Sequence, residues 1–396
     1  MASKSVKYFH GNMRGAPART GAAGSLIAVL DACLVSGFGL VTVDSLSVSA
    51  GVATMTISAA LNAFERDAVV LVAGATPAAL NGEQCISAVA GNKVSFPAPG
   101  VPDGAATGSI TVKMAPAGWE KAFAGTNLAA YRSQDVTGTR MFLRVDDSSV
   151  TNARVVGYES MSDISSGQGP FPSPVQMSGG GWWPKATAAG ATALAWTLVA
   201  DSRFFLLHMQ TTANAPGASG AVWAFGDFES LRSGDPYACV LMANNTDAAT
   251  GSSVTLGMVE YSSASSGNNA MIPRSFTGLG GSINGGHGCE SFASGSTGVA
   301  GSFNAPSVPS YPNGPNNGLV LSSKFLFEPN IALRGRLPGV LLPVQQCHSA
   351  FNWLDKIDGQ DELIGRKLLA IKCGGAAGSS SQGLIFVDIT GPWGAA

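Results

Sequence analysis

The segment from Val41 to Met114 alternates short apolar runs with turn residues, and this pattern constrains the fold more than any other feature of the chain. Apolar residues recur at alternate positions, and each run ends near Gly, Asn or Pro. The clearest turns are Ala50-Gly51, Asn81-Gly82 and Gly91-Asn92. This spacing is typical of half-buried antiparallel strands, and six or so of them in about 75 residues predict a small sandwich or barrel.

The rest of the chain has the same β patterning, so the predicted fold class is all-β with one short N-terminal helix. Three parts are expected. Residues 1–40 form an arm and the helix, residues 41–115 a small β-sandwich module, and residues 116–396 a larger β-rich domain of sandwich or jelly-roll type. The arm is polar and glycine-rich, and the first part is expected to pack on the larger domain.

The single helix of the first half is predicted from Leu26 to about Ser36. Its apolar residues fall on one face, Ser25 is expected to cap its start, and Gly37 is expected to end it.

The larger domain is predicted from alternating runs and from turns between them. The run 194–211 predicts a hairpin with its turn at Asp201-Ser202. Residues 115–125 are interpreted as a connector and 351–358 as a short turn of helix. Two long Gly-, Ser- and Pro-rich loops, 162–185 and 262–318, are the expected places of specific contacts, because long loops without regular structure are usually functional.

Charge is scarce and balanced, with 12% charged residues and a net charge of -2. An average soluble domain has about 25% charged residues. This composition argues against binding to nucleic acid or to an anionic membrane. It favours a surface covered by other subunits over the alternative, a glycine- and serine-rich secreted protein.

No secretory signal or membrane-spanning segment is recognised in the sequence. The apolar run from Leu26 to Val35 is too short to span a bilayer and contains Asp31. Six cysteines are scattered without a CxxC pair, so they are expected to be reduced and buried. Synthesis in a cytosol without export or membrane insertion is therefore expected.

A zinc site and a Cys-His enzyme are the first chemistries that the residue types permit. His287 and Cys289 could supply ligands together with Cys347 and His348. Zinc knuckles, however, use tight CxxC or HxxxH pairs, and adjacent residues on a strand point to opposite faces. The pattern favours buried thiols and surface imidazoles, and no metal ligand is assigned.

Paired carboxylates could serve as the acid and base of a glycosidase. The candidates are Asp146 with Asp147, Asp163, Asp227 with Glu229, and Asp355 with Asp358. Each group lies beside a predicted turn, where Asp side chains bind backbone amides. The placement favours a structural role, and no catalytic residue or cofactor is assigned.

Three aromatic residues in loop-rich sequence are candidates for contact with sugars or with another protein. They are Trp182, Trp183 and Tyr311. The competing interpretation is that such aromatics lie at the edge of the core.

Several phrases of the sequence resemble structural proteins of tailed bacteriophages and prophages. In the module they are GVATMTISAALNAFERDAVVLVAGATPAALNGEQCISAV and GVPDGAATGSITVKMAPAGWEKAF; elsewhere they are AGSLIAVLDACLVSGFG, GTRMFLRVDD, AFGDFESLRSGDPYACVL and GRLPGVLLP. The resemblance covers most of the chain and carries no catalytic signature.

This resemblance implies a virion component made in the bacterial cytoplasm, in the tail, the baseplate or a part attached to the tail. Its partners would be copies of itself and other virion proteins. Two alternatives stay open: a tip or fibre protein that binds a host surface glycan or receptor, and a head decoration or head fibre protein. A secreted enzyme acting on polysaccharide is a weaker third.

Overall fold

The computed structural model describes residues 5–59, 61, 63–213, 217, 219–245, 259–261, 263–264, 270–290, 300–301, 309–330, 332–375 and 382–393. Regular structure in these residues is almost all β with one short α-helix, which confirms the predicted fold class. The helical segments are α1 (Ser25–Leu30), a π-helical continuation (Asp31–Ser36), and 3-10 turns at Ala78–Leu80, His348–Ala350 and Asp361–Leu363.

The strands, in chain order, are β1 (Lys7–His10), β2 (Arg19–Gly21), β3 (Val41–Thr42), β4 (Ser45–Ser49), β5 (Val52–Thr56), β6 (Val69–Ala73), β7 (Gly82–Cys85), β8 (Ala88–Ala90), β9 (Lys93–Pro97), β10 (Gly104–Ala105), β11 (Thr111–Met114), β12 (Trp119–Gly125), β13 (Leu128–Ser133), β14 (Phe142–Asp146), β15 (Asn152–Asp163), β16 (Ser166–Phe171), β17 (Gly181–Pro184), β18 (Gly190–Leu194), β19 (Trp196–Ala200), β20 (Phe204–Met209), β21 (Ala221–Asp227), β22 (Glu229–Ser230), β23 (Cys239–Met242), β24 (Ser263–Ala264), β25 (Ala270–Ile272), β26 (Ile283–Gly288), β27 (Leu321–Glu328), β28 (Ala332–Pro343), β29 (Lys356–Asp358), β30 (Lys367–Gly374) and β31 (Gln382–Asp388).

The module strands, β3 to β11, form two antiparallel sheets and pair only with one another in the described chain. The sheet orders are β10-β4-β5-β9-β8 and β3-β11-β6-β7. Alternate residues such as Leu46 and Val48 are buried, as the sequence pattern predicts. Ala50 and Gly51 both have positive φ, which the tight turn between β4 and β5 requires. Whether residues 41–115 form a separate domain stays a prediction.

The remainder contains a six-stranded antiparallel sheet that packs on one end of a 14-stranded sheet, counting described strands. The smaller sheet has the order β12-β13-β14-β15-β16, with β17 beside β15. The larger sheet follows β1-β19-β20-β21-β23-β25-β26-β27-β28-β31-β30-β29, with β22 on β28 and β24 on β26. Buried aromatic rings fill the space between the sheets: Trp119 of β12 and Trp183 of β17 lie 5.4 and 6.2 Å from Phe205 of β20.

The predicted helix is confirmed in its extent but not in its cap. Helical structure runs from Ser25 to Ser36, and Gly37 at φ 70° ends it. The backbone amides of Leu26 and Ile27 donate to Asp147 Oδ2 at 2.8 and 3.3 Å, so Asp147 caps the helix from a distant part of the chain. Ser25 instead donates from Oγ to the carbonyl of Thr20.

Several local predictions are wrong. The N-terminal arm is not free of core structure: it contains β1, all of whose side chains are buried. Tyr8 and Phe9 of this strand lie in the core. The connector 115–125 contains β12, the loop 162–185 contains β16 and β17, and the helical turn 351–358 ends in β29. Strands β16 and β17 lie at the margin of their sheet, where Gly and Pro are tolerated, so their composition imitates that of a loop.

Much of the loop predicted at 262–318 lies outside the described residues. The described part of the loop contains β24, β25 and β26. No helix in the described chain is both long enough and apolar enough to cross a membrane.

Candidate functional site

A cleft of about 730 Å³ opens where β21 and β22 meet β28. Three segments supply most of its walls: the loop 137–139, the segment 227–238 and residues 333–338. Asp201, Arg203, Phe204, Phe325 and Trp393 complete the lining. Its volume lies in the range of about 300–1,000 Å³ that small-molecule sites occupy.

Asp227, at the end of β21, is one of the acidic side chains that line this cleft. Its carboxylate accepts hydrogen bonds from the amide and the hydroxyl of Thr139 at 2.9 and 2.5 Å. A Cβ on Gly138 would lie 2.6 Å from Asp227 Oδ2, so only glycine allows the loop this close. Burial raises the pKa of Asp227 to about 6, an effect that the hydrogen bonds of Thr139 and the charge of Arg203 oppose and that Asp201 reinforces. The carboxyl therefore stays protonated to a higher pH than an exposed aspartate does.

Ion pairs join the walls of the cleft. Glu229 of β22 pairs with Arg336 of β28. Arg334, whose side chain is fully buried, contacts Asp235 and Glu328 at 2.7 Å each. Charge-assisted contacts of this kind are stronger and more directional than neutral ones. They hold the segment 227–238 against β28 and fix the shape of the opening.

Large apolar side chains surround the mouth of the cleft. Of the eleven that are exposed in the described residues, four belong to this apolar rim: Val136, Leu231, Phe276 and Leu333. Leu231 and Leu333 line the cleft, and Val136 precedes the lining residue Thr137. Phe276 is tied to the cleft because its carbonyl accepts a hydrogen bond of 2.6 Å from Arg232. Grouped exposed apolar residues mark surfaces that bind a partner.

The three aromatic residues singled out in the sequence lie elsewhere, and none of them lines the cleft. Trp183 is fully buried and donates from Nε1 to the carbonyl of Met242, so it offers no surface to a ligand. Trp182 is half-buried, with the Arg154 guanidinium 3.6 Å from its ring centre. Tyr311 is half-buried against Phe351, at 5.2 Å between ring centres. Of the three aromatic residues, only Trp182 and Tyr311 have exposed surface with which to contact a ligand or another protein.

The expectation of surface imidazoles is wrong, because His10, His208, His287 and His348 are all buried. His10, His208 and His287 lie on strands and His348 begins a 3-10 turn. Burial lowers the pKa of His208 and His348 to about 4. The six cysteines form no disulfide; four are buried, Cys289 is half-buried and Cys85 is exposed. No group of three or more His, Cys, Asp or Glu in the described chain could hold a metal ion.

Three of the seven acidic candidates bind turns, as the sequence predicts. Asp146, Asp163 and Asp355 accept hydrogen bonds from backbone amides two or three residues away. Asp227 and Glu229 are the one predicted pair that lines the cleft.

Sequence reasoning missed the apolar rim and the arginines beside it. The members of the rim come from positions 136, 231, 276 and 333, and no local pattern connects them. No protein-family model matches this chain, and no curated protein is significantly similar to it.

Proposed function

We propose that the protein is a structural component of a tailed-phage virion, in the tail, the baseplate or a tail-attached part, and that it acts by subunit assembly. The apolar rim carries the proposal, since four of the eleven exposed large apolar side chains of the described chain lie around one cleft. The low charge content supports a covered surface. The resemblance to phage structural proteins supports the virion setting.

The rim has the composition of a protein interface. Leu231, Phe276 and Leu333 supply apolar area, while Arg232 and Arg336 lie at its margin. Such anchors gain most when a partner removes them from water, and the polar margin fixes orientation. Because the ion pairs hold the walls of the cleft in place, docking would not require the site to reorganise.

A matched pair of variants tests the proposal. Leu231→Ser, combined with Phe276→Ser, removes two anchors of the rim. We expect at least a ten-fold drop in incorporation, because truncating a central anchor typically costs about 2 kcal/mol or more. Incorporation is measured by peptide mass spectrometry of purified particles from a host whose own copy of the gene is deleted.

Leu40→Ser is the control, because Leu40 is 67% exposed against 65% for Leu231 and does not line the cleft. It should leave incorporation unchanged. If the rim variant were incorporated normally, the rim would not be part of the subunit interface. Intact, infective particles lacking the protein would make it an accessory component.

Glycan or receptor binding is a second candidate function, favoured by the volume of the cleft and by its hydroxyl and carboxylate lining, including Thr139, Ser230 and Glu229. Saturable binding of host surface polysaccharide to the purified chain, abolished by Glu229→Gln, would favour this function. The absence of any such binding would eliminate it.

A further inference from the structure

In the order of the 14-stranded sheet, β1 lies at one edge and β29 at the other, and the two are not hydrogen-bonded neighbours. Their side chains are nevertheless in contact. Lys356 of β29 donates from Nζ to the hydroxyl of Tyr8 of β1 at 2.5 Å, and Nζ lies 4.4 Å from the centre of the Tyr8 ring. Trp353, just before β29, donates from Nε1 to Thr197 Oγ1 of β19 at 3.1 Å. The sheet therefore curves so that its two edge strands come together. We call the contact between β1 on one side and β29 on the other the seam.

Two consecutive residues of the module, Glu65 and Arg66, contact both sides of the seam. The Arg66 carbonyl lies 2.9 Å from the Tyr8 hydroxyl and accepts a hydrogen bond of 2.6 Å from Lys356 Nζ. The Glu65 carboxylate lies 2.9 Å from His10 Nε2 and 3.8 Å from Lys356 Nζ. One dipeptide thus touches two residues of β1 and one of β29.

These contacts are partly shielded from solvent. The His10 side chain is 4% exposed and that of Lys356 is 20% exposed. The Glu65 side chain itself is 39% exposed, so solvent partly screens its ion pair with Lys356. The edge of a sheet also presents unpaired backbone groups that can pair with another chain, and covering the edge is one way to prevent this.

A second contact between the module and the rest of the chain reaches only the β1 side of the seam. Glu83 of β7 accepts a hydrogen bond of 2.6 Å from Ser5 Oγ and lies 3.0 Å from Lys7 Nζ of β1. It provides a matched comparison, because it joins the module to β1 without touching β29 in the described contacts.

We propose that the module has a function within its own chain: Glu65 and Arg66 act as a clasp that holds the two edges of the large sheet together. All of these contacts lie inside one chain, so the proposal does not depend on virion assembly. Without the clasp, β1 and β29 separate and their outer backbone groups become accessible.

Hydrogen-exchange mass spectrometry of the full chain tests the clasp. Glu65→Ala should speed amide exchange about ten-fold in β1, because the carboxylate accepts a hydrogen bond from the Tyr8 hydroxyl, a hydrogen bond to a charged group is worth about 1.5–3 kcal/mol, and about 1.4 kcal/mol is a factor of ten. It should speed exchange in β29 by a smaller factor, because there it removes only the ion pair with Lys356. Exchange in β5 and β9, inside the module, should stay unchanged. Glu83→Ala should speed exchange in β1 alone.

Unchanged exchange at the seam in Glu65→Ala would overturn the proposal, as would equal acceleration in β5 and β9, which would show a general loosening of the module. If Glu65→Ala does not fold, Glu65→Gln keeps the side-chain shape and removes the charge. It should produce a smaller acceleration on both sides of the seam, and acceleration on one side only would also overturn the clasp.

Discussion

At the scale of single residues, the buried carboxyl of Asp227 predicts an unusual pH dependence of stability. Burial raises its pKa from an ordinary 3.8 to about 6. Between these values the folded state binds more protons than the unfolded state, so stability falls as the pH rises from about 4 to 6. Relative to Asp227→Asn, the wild type should lose stability over this window, on the order of 2 kcal/mol, because one pKa unit corresponds to about 1.4 kcal/mol. Thermal midpoints of both proteins from pH 4 to 8 measure the difference.

Asp44 offers a control of opposite sign. Its exposed carboxylate accepts a hydrogen bond from the Ser58 amide, which lowers its pKa. The wild type should therefore gain stability relative to Asp44→Asn as the pH rises through the acid range, and lose that gain as the pH falls. Equal pH profiles for wild type and Asp227→Asn would show that Asp227 has an ordinary carboxyl.

The sequence identified Asp227 but not its environment. Asp227 is recognisable as one of a pair with Glu229, yet its partner Thr139 lies 88 residues away. Trp182 and Trp183 show the same limit. Neighbours on a strand point to opposite faces, so one of them had to be buried. Nothing local shows that it is Trp183.

At the scale of elements, the capping of α1 by Asp147 predicts a large effect from one substitution. Asp147 binds two amides at the start of the helix and forms an ion pair with Lys185, both side chains being fully buried. Asp147→Ala should cost about 3–5 kcal/mol, because it leaves Lys185 unpaired in the interior as well as removing the cap. Thermal midpoints and far-UV circular dichroism measure the loss.

Two further variants separate the cap from the ion pair. Asp147→Ala with Lys185→Met should recover part of the stability, since the unpaired charge is gone. Ser25→Ala should cost less than Asp147→Ala, because Ser25 bonds the Thr20 carbonyl and no helix amide. If Ser25→Ala lost as much stability as Asp147→Ala, Ser25 would be the residue that effectively caps the helix.

Elements were predictable where a local pattern decides them. The hairpin around Asp201-Ser202 and the strands of the module follow from alternation and turn residues. Strand β17 and the capping of α1 depend on residues elsewhere: β17 pairs with β15, and the cap comes from Asp147. Sequence windows do not contain those partners.

At the scale of the whole molecule, the sequence indicated the two sheets of the module because its strands lie close together along the chain. The order of the large sheet was not accessible in the same way. Strand β1 pairs with β19, whose residues lie nearly 200 positions away, and β22 pairs with β28. Such long-range pairings follow from tertiary packing and leave no periodic signal in the segments themselves.

Packing between the six-stranded and 14-stranded sheets depends on a cluster of aromatic rings, and its centre can be tested. The Phe205 ring lies 5.4 Å from that of Trp119 and 6.2 Å from those of Trp183 and Phe225. Phe205→Ala should cost about 3–5 kcal/mol through lost burial and a cavity, and Phe205→Leu much less. Phe205→Ala should also shift the tryptophan emission, because the indoles of Trp119 and Trp183 lose a neighbouring ring.

The equally buried Phe386 is the matched comparison, because the separate core cluster that contains it includes no tryptophan. Phe386→Ala should therefore lower the thermal midpoint by a similar amount while leaving the emission of the folded protein unchanged. A Phe205→Ala protein with unchanged emission and midpoint would mean that the two sheets are held together elsewhere. In that case the contacts of the six-stranded sheet with the strands around the cleft would have to supply the stability.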